Sequence, residues 1–263
     1  MKRTIHPVLY FVAILTIISL ACASLAGGGN APATEADAPA ETEPLVTNTV
    51  IAPAPTQKPT NTPRPTNTPI PPAPDFFTEE FEGATDPDNW FHFTFGPGGD
   101  DDQDLQIFQE GDGLTLDLGA LDLYLYYMYE PYEYDDVALT LVAENLGRNN
   151  NNVSIVCRLN YDNAEWYEFS FESGGVWFLY AYKEGYNVLD NGGSNALNQG
   201  KAINEYAMTC DGNKITMSIN GKVLKTHTDN KYNLGEGLVG FNISSLNVLP
   251  IIVNVKSFEI AEP

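Results

Sequence analysis

Cationic side chains are scarce in this 263-residue chain: 13 Lys and Arg stand against 35 Asp and Glu, a formal charge of −22. Removing Lys2 and Arg3 with an N-terminal signal leaves 13 − 2 = 11 basic groups and a charge of −24. So acidic a surface repels nucleic acid and anionic lipid at long range, and excludes both as partners. Three scattered His (His6, His92, His227) and three Cys give no zinc ligand set. The apolar run at 8–20 is too short for a comfortable membrane span. Helical periodicity is absent, and so are a Ser-His-Asp signature and a phosphate loop.

What is present begins at the N-terminus. Met1-Lys2-Arg3, the apolar run and Ser19-Leu20-Ala21-Cys22 have the layout of a secretory signal, and the last four residues resemble a bacterial lipobox. The resemblance implies a lipid on Cys22 and an exported protein anchored to the outer face of the cell membrane. Ordinary signal cleavage near 21–26 and an uncleaved anchor remain the alternatives. Nine of the 18 prolines lie between Pro53 and Pro74, with two copies of Pro-Thr-Asn-Thr-Pro at 59–63 and 65–69. Proline fixes φ and pushes the preceding residue out of the helical region, so this stretch favours extended polyproline II. Having little apolar surface to bury, it is expected to stay disordered, a stalk reaching at most roughly 150 Å at about 3.1 Å per residue. The expected organisation is a signal at 1–21, a lipid-anchored stalk at 22–75 and one domain at 76–263.

From Phe76 on, short alternating runs are bounded by Gly, Asn and Asp. Val137, Leu139 and Leu141 share one strand face, and so do Val153, Ile155, Cys157 and Leu159. Tyr167, Phe169 and Phe171 alternate with Trp166, Glu168, Ser170 and Glu172; Ile215, Met217 and Ile219 alternate with Thr216 and Ser218. Asn220-Gly221 is a type I′ hairpin signal, and with the turn at Asp211-Gly212-Asn213 it predicts a three-strand meander over 207–210, 214–220 and 222–228. Two more strands are predicted at 238–243 and 251–260. Many strands with no crossover helices mean an all-β fold, an antiparallel sandwich or barrel.

The sequence Val156-Cys157-Arg158, Trp166-Tyr167-Glu168-Phe169, Cys210-Asp211-Gly212-Asn213-Lys214-Ile215, Asn220-Gly221 and Gly237-Leu238-Val239-Gly240 resembles the concanavalin A-like, laminin-G-like jelly rolls. The variant it is most similar to occurs on exported bacterial proteins, beside the domain called 3-keto-disaccharide hydrolase. The resemblance implies an antiparallel jelly-roll β-sandwich. That fold hosts lectins, glycosidases and adhesion modules alike. Cys157 and Cys210 lie on apolar strand faces, and similar proteins carry cysteines at matching places, which implies a disulfide; two buried thiols are the alternative.

Asp100, Asp101, Asp102 and Asp104 form an oxygen-rich loop that would suit structural calcium, or equally a solvated turn. Related jelly rolls use an acid in the last strand for such an ion, and Lys256 stands near that place. Glucanases of the fold carry carboxylates at i, i+2 and i+4 on one strand face, and Glu168-Phe-Ser170-Phe-Glu172 has serine in the middle. Binding chemistry is the stronger reading. Alternation places Arg158, Trp166, Glu168 and Ser170 on one outward face, a flat indole beside hydrogen-bonding groups. Trp177, Tyr182 and the run from Tyr124 to Tyr134 extend it, unless those rings are core or rim. The expected protein is a surface-anchored, monomeric, non-catalytic module that binds carbohydrate or another envelope component and touches membrane only through its lipid. A glycoside-acting enzyme and an adhesion domain without a small ligand are the alternatives.

Overall fold

A computed structural model describes residues 73–83, 89–99, 104–109 and 111–263. Cys22, most of the stalk and Asp100, Asp101 and Asp102 lie outside the described residues. The domain is all-β: two antiparallel sheets face each other in a jelly-roll sandwich. Numbered in chain order, the first sheet runs β13 (Lys222–Thr228), β12 (Lys214–Ile219), β11 (Ile203–Asp211), β6 (Val137–Asn145), β15 (Ile251–Ala261), β4 (Leu114–Leu118) and β3 (Leu105–Gln109). A short β1 (Phe77–Glu79) pairs with the far half of β15. The second sheet runs β10 (Tyr186–Gly193), β9 (Val176–Tyr182), β8 (Glu165–Glu172), β7 (Asn151–Asn160), β14 (Gly237–Ser245), β5 (Tyr124–Tyr134) and β2 (Trp90–Phe95).

Period-2 alternation builds the core. Val137, Leu139 and Leu141 of the first sheet share one buried core with Tyr167, Phe169 and Phe171 of the second, and Ile215, Met217 and Ile219 of β12 belong to the same core. The predicted meander is β11–β12–β13, and its Asn220-Gly221 turn has φ of 49° and 72°, the left-handed pair that a type I′ turn requires. Cys157 on β7 and Cys210 on β11 form a disulfide joining the two sheets across 53 residues of sequence. On the chain-entropy model such a loop contributes about 4 kcal/mol.

Two departures from simple alternation matter for the site. Arg158 sits at φ 56°, and the β7–β8 register shifts between Cys157 and Asn160. One bulged residue reverses the parity beyond it. Leu159 therefore leaves the core face of Cys157 and joins the opposite face of the sheet, beside Trp166 and Val156. The second departure is the tyrosine run of β5. Tyr126 lies on the outer face and Tyr129 packs in the core. The hydroxyls of Tyr129, Tyr132 and Tyr134 donate to the carbonyls of Pro74, Ala73 and Asp75, so three side chains grip the last residues before the domain.

Candidate functional site

The outer face of the second sheet carries the site. Strand parity puts Tyr124, Tyr126 and Met128 of β5 there, with Phe91, Phe93 and Phe95 of β2 opposite them in register. Trp166 and Glu168 of β8 are paired with Tyr182 and Tyr180 of β9. On a flat sheet β2 and β9, five strand steps apart, would be separated by about 24 Å. Yet the rings of Phe95 and Tyr182 lie 5.7 Å apart, edge to face. The sheet is strongly curved, and aromatic side chains fill its hollow.

Trp166 is the centre of that filling. Its indole stacks on Tyr182 at 3.9 Å with 5° between planes, and Tyr126 meets it edge-on at 5.5 Å. Tyr126 is in turn stacked on Phe93 at 4.8 Å and 2°. Only 4% of Trp166 is exposed. Its outward parity is as read from the sequence. The open platform expected of it is not found, because neighbouring rings cover the indole, and its packing with Tyr126, Met128, Val156 and Leu159 makes it part of a second apolar cluster. Truncating it to Ala would cost about 3 kcal/mol or more, the penalty of a buried aromatic.

Glu168 lies beneath this layer, 3% exposed rather than solvated. The Tyr126 hydroxyl (2.8 Å), the Trp166 Nε1–H (3.1 Å) and the Tyr186 hydroxyl (3.3 Å) all donate to its Oε2. The two tyrosine hydroxyls also meet each other at 2.6 Å. Burial raises the Glu168 pKa above its ordinary value, and the donors from Trp166, Tyr126 and Tyr186 offset only part of that. The Ser154 hydroxyl is close enough to help hold the carboxylate down, yet its geometry gives it no hydrogen-bond partner. Burial beside this carboxylate pushes the Tyr126 and Tyr186 hydroxyls well up and Tyr180 to about 12. Ser170 is buried on the same face.

Two expected site residues, Arg158 and Trp177, are elsewhere or differently employed. Arg158 does not reach the Trp166 face; its guanidinium is 4% exposed and braces three loops. Nε donates to the Asp135 carbonyl (2.8 Å), Nη1 to Leu234 (3.0 Å) and Nη2 to Gly212 (2.8 Å), with Asp136 Oδ1 at 3.4 Å. The bulge that turns Leu159 outward is the cause. Trp177 is a core residue, packed near Phe169, because β9 parity aligns it with Phe171 rather than with Trp166. Tyr182 is on the site, half-buried against the indole. Of the acidic loop, Asp104 alone is described, and it is exposed. Among the described residues no group of three or more His, Cys, Asp or Glu could hold a metal ion. Lys256 pairs with Asp112 (3.0 Å) and Glu144 (3.4 Å).

What remains open on this face is a groove of about 340 Å³ lined by Phe93, Phe95, Leu159, Tyr161, Trp166 and Tyr182, among others. Tyr161, on the loop after β7, is 59% exposed, and Phe95 38%. Tyr161 stands edge-on to Phe91 and Phe93 at 6.0 and 5.4 Å. The sequence reading missed Tyr161 and Phe95 because neither lies in the runs whose alternation was informative. Ring faces in a trough can stack on a flat, partly apolar ligand. Glu168 below them is sealed, and its bonded partners are tyrosine and tryptophan rather than a second carboxyl.

No protein-family model matches the chain, and no curated protein matches it in sequence. Similarity appears in solved structures. A protein of unknown function with a galectin-like fold from Bacillus subtilis is 12% identical with a TM-score of 0.56, covering 71% of this chain and 94% of that one. A Bacillus licheniformis beta-glucanase is 13% identical with a TM-score of 0.55, covering 72% and 99%. A Bacteroides ovatus GH16 protein in complex with a G4G4G3G product is 11% identical with a TM-score of 0.54, covering 70% and 99%. At such identities the likeness is one of fold: the domain shares the concanavalin A-like jelly roll of galectin-like and GH16 structures.

Proposed function

We propose that this protein is a non-catalytic carbohydrate-binding module, exported and held at the outer face of the cell membrane by a lipid on Cys22 and a Pro/Thr-rich stalk. The aromatic groove carries the reading: exposed Tyr161 and Phe95 flank the stacked Trp166–Tyr182 pair across a trough of about 340 Å³. A pyranose ring offers an apolar face to such rings and hydroxyls to the solvent side. The non-catalytic part is supported by Glu168. Retaining glycosidases need two accessible carboxyls about 5–5.5 Å apart, whereas Glu168 is 3% exposed and Ser170 occupies the next position on its face. Glucanases share the fold, so turnover has to be measured directly.

The test is a glycan array probed with the full chain, with a reducing-sugar assay on every bound glycan. Saturable binding without turnover is expected. Tyr161→Ala, which removes an exposed ring, should weaken binding about tenfold, the loss of one good stacking contact, with an unchanged melting temperature. Release of reducing ends would replace this reading with a glycoside-acting enzyme. An array with no binding at all would replace it with an adhesion domain.

A further inference from the structure

Residues 76–263 hold 30 acidic and nine basic side chains. Arg158, Lys183, Lys225 and Lys256 pair with carboxylates, and Lys231 leans on Tyr232. Lys214 and Lys222 make no ion pair among the described residues, and neither do Arg148 and Lys201, although acids outnumber them so heavily. Arg148 and Lys201 line one open cavity of about 550 Å³, at the end of the sandwich where the β6–β7, β10–β11 and β14–β15 loops meet, and among the described residues no acidic side chain lines it. An unspent Arg and Lys sharing one hollow of a strongly acidic domain are placed to receive an anion from outside.

The hollow is built, not incidental. Arg148 N–H donates to the Pro250 carbonyl and Gly147 N–H to Ile252. A Cβ on Gly147 would stand 2.4 Å from the Ile252 nitrogen, so glycine is what lets the two loops close up. Asn145 Nδ2 donates to the Gly200 carbonyl, and Gly200 N–H donates to Asn149 Oδ1. Leu146, Pro250 and Ile252 give the cavity an apolar wall. A second, water-sized cavity of about 10 Å³ adjoins it, sharing Asn149 and Gly200, and is lined by Asn145 and Asn151. The Oδ1 atoms of both are buried without a hydrogen-bond partner, and Asn151 is 2% exposed. Unpaired buried acceptors call for donors.

We propose that this loop-end cavity is a second binding site, for a sugar acid. The carboxylate lies against the Arg148 guanidinium and the Lys201 ammonium, the ring against the apolar wall, and hydroxyl groups or a bridging water supply the donors that Asn145 and Asn151 lack. A bare phosphate would satisfy the cations but leave the apolar wall of Leu146, Pro250 and Ile252 uncovered. The domain's overall negative field opposes approach, but at physiological salt it is screened within about 8 Å, which leaves the local pair to decide. None of these residues borders the aromatic groove, so the site stands whether or not that groove binds glycan.

Calorimetric titration of the full chain with tetragalacturonate tests it, with the tetra-methyl ester and inorganic phosphate as comparison probes. Tetragalacturonate should bind, and its ester should bind about tenfold more weakly or worse. Arg148→Gln with Lys201→Gln should cost about tenfold or more. Lys214→Gln with Lys222→Gln, which removes the same charge elsewhere, should cost little. Lack of uronate binding, an ester that binds equally well, or equal losses in the two double variants would overturn the proposal. Phosphate competing as effectively as the uronate would also overturn it, reducing the cavity to a simple anion site.

Discussion

At Glu168 a carboxylate that prefers to be neutral sits where three donors prefer it charged. Burial wins, since its pKa is raised despite the bonds from Trp166, Tyr126 and Tyr186. The sign for stability follows. Between the unfolded value near 4.5 and the higher folded value, the folded protein binds more proton, so stability contributed by this group is present at low pH and lost as pH rises through the folded pKa. Glu168→Gln removes the titration and keeps an acceptor for the donors, and its new amide can donate to the unpartnered Ser154 hydroxyl. The variant should melt at or above wild type at pH 7, and wild type should gain on it as pH falls towards 4. A variant that melts well below wild type at pH 7, by a margin that shrinks as the pH falls towards 4, would show that the charged form is the favoured one.

Among single elements, β5 shows what pattern reading can and cannot recover. Alternation on β8 correctly separates core Tyr167, Phe169 and Phe171 from outward Trp166, Glu168 and Ser170, because every residue there obeys period 2. It says nothing about whether the outward face is covered, since the cover comes from Tyr126 and Phe93, distant in sequence. It fails on β7, where nothing in Cys157-Arg158-Leu159 marks a left-handed arginine. On β5 the run from Tyr124 to Tyr134 has three destinations: the outer aromatic layer, the core, and the hydrogen bonds to Ala73, Pro74 and Asp75. The last depends on partners 55–59 residues away. A Tyr129→Phe, Tyr132→Phe, Tyr134→Phe variant keeps every ring and removes the three donors. The melting temperature should fall only slightly, since Tyr132 is exposed and the rings still pack. Proteolysis near residues 73–76 should accelerate about tenfold, the factor that a net 1–1.5 kcal/mol of lost hydrogen bonding permits. Unchanged cleavage would mean that the hydroxyls do not hold this segment.

For the whole molecule, the fold and the proposed placement rest on different parts of the sequence. The sandwich follows from turns, alternation and the absence of helical periodicity, and each has a counterpart in the sheets. The proposed placement in the cell rests on residues 1–72, where only the sequence speaks. The proposed export and anchoring rest on a basic start, an apolar run at 8–20, a cysteine after Ala21 and the Pro/Thr-rich segment that follows. The proposed lipid would bear directly on the two proposed sites: a tethered domain would meet a polymeric glycan at high local concentration, so weak single-site binding would suffice. The variant Cys22→Ala should therefore leave the membrane fraction and appear in the medium, with its glycan titration in solution unchanged. Radiolabelled fatty acid should mark the wild type and not the variant. If Cys22→Ala stays with the membrane unlabelled, the apolar run at 8–20 is itself the anchor, the cysteine carries no lipid, and tethering survives by another means.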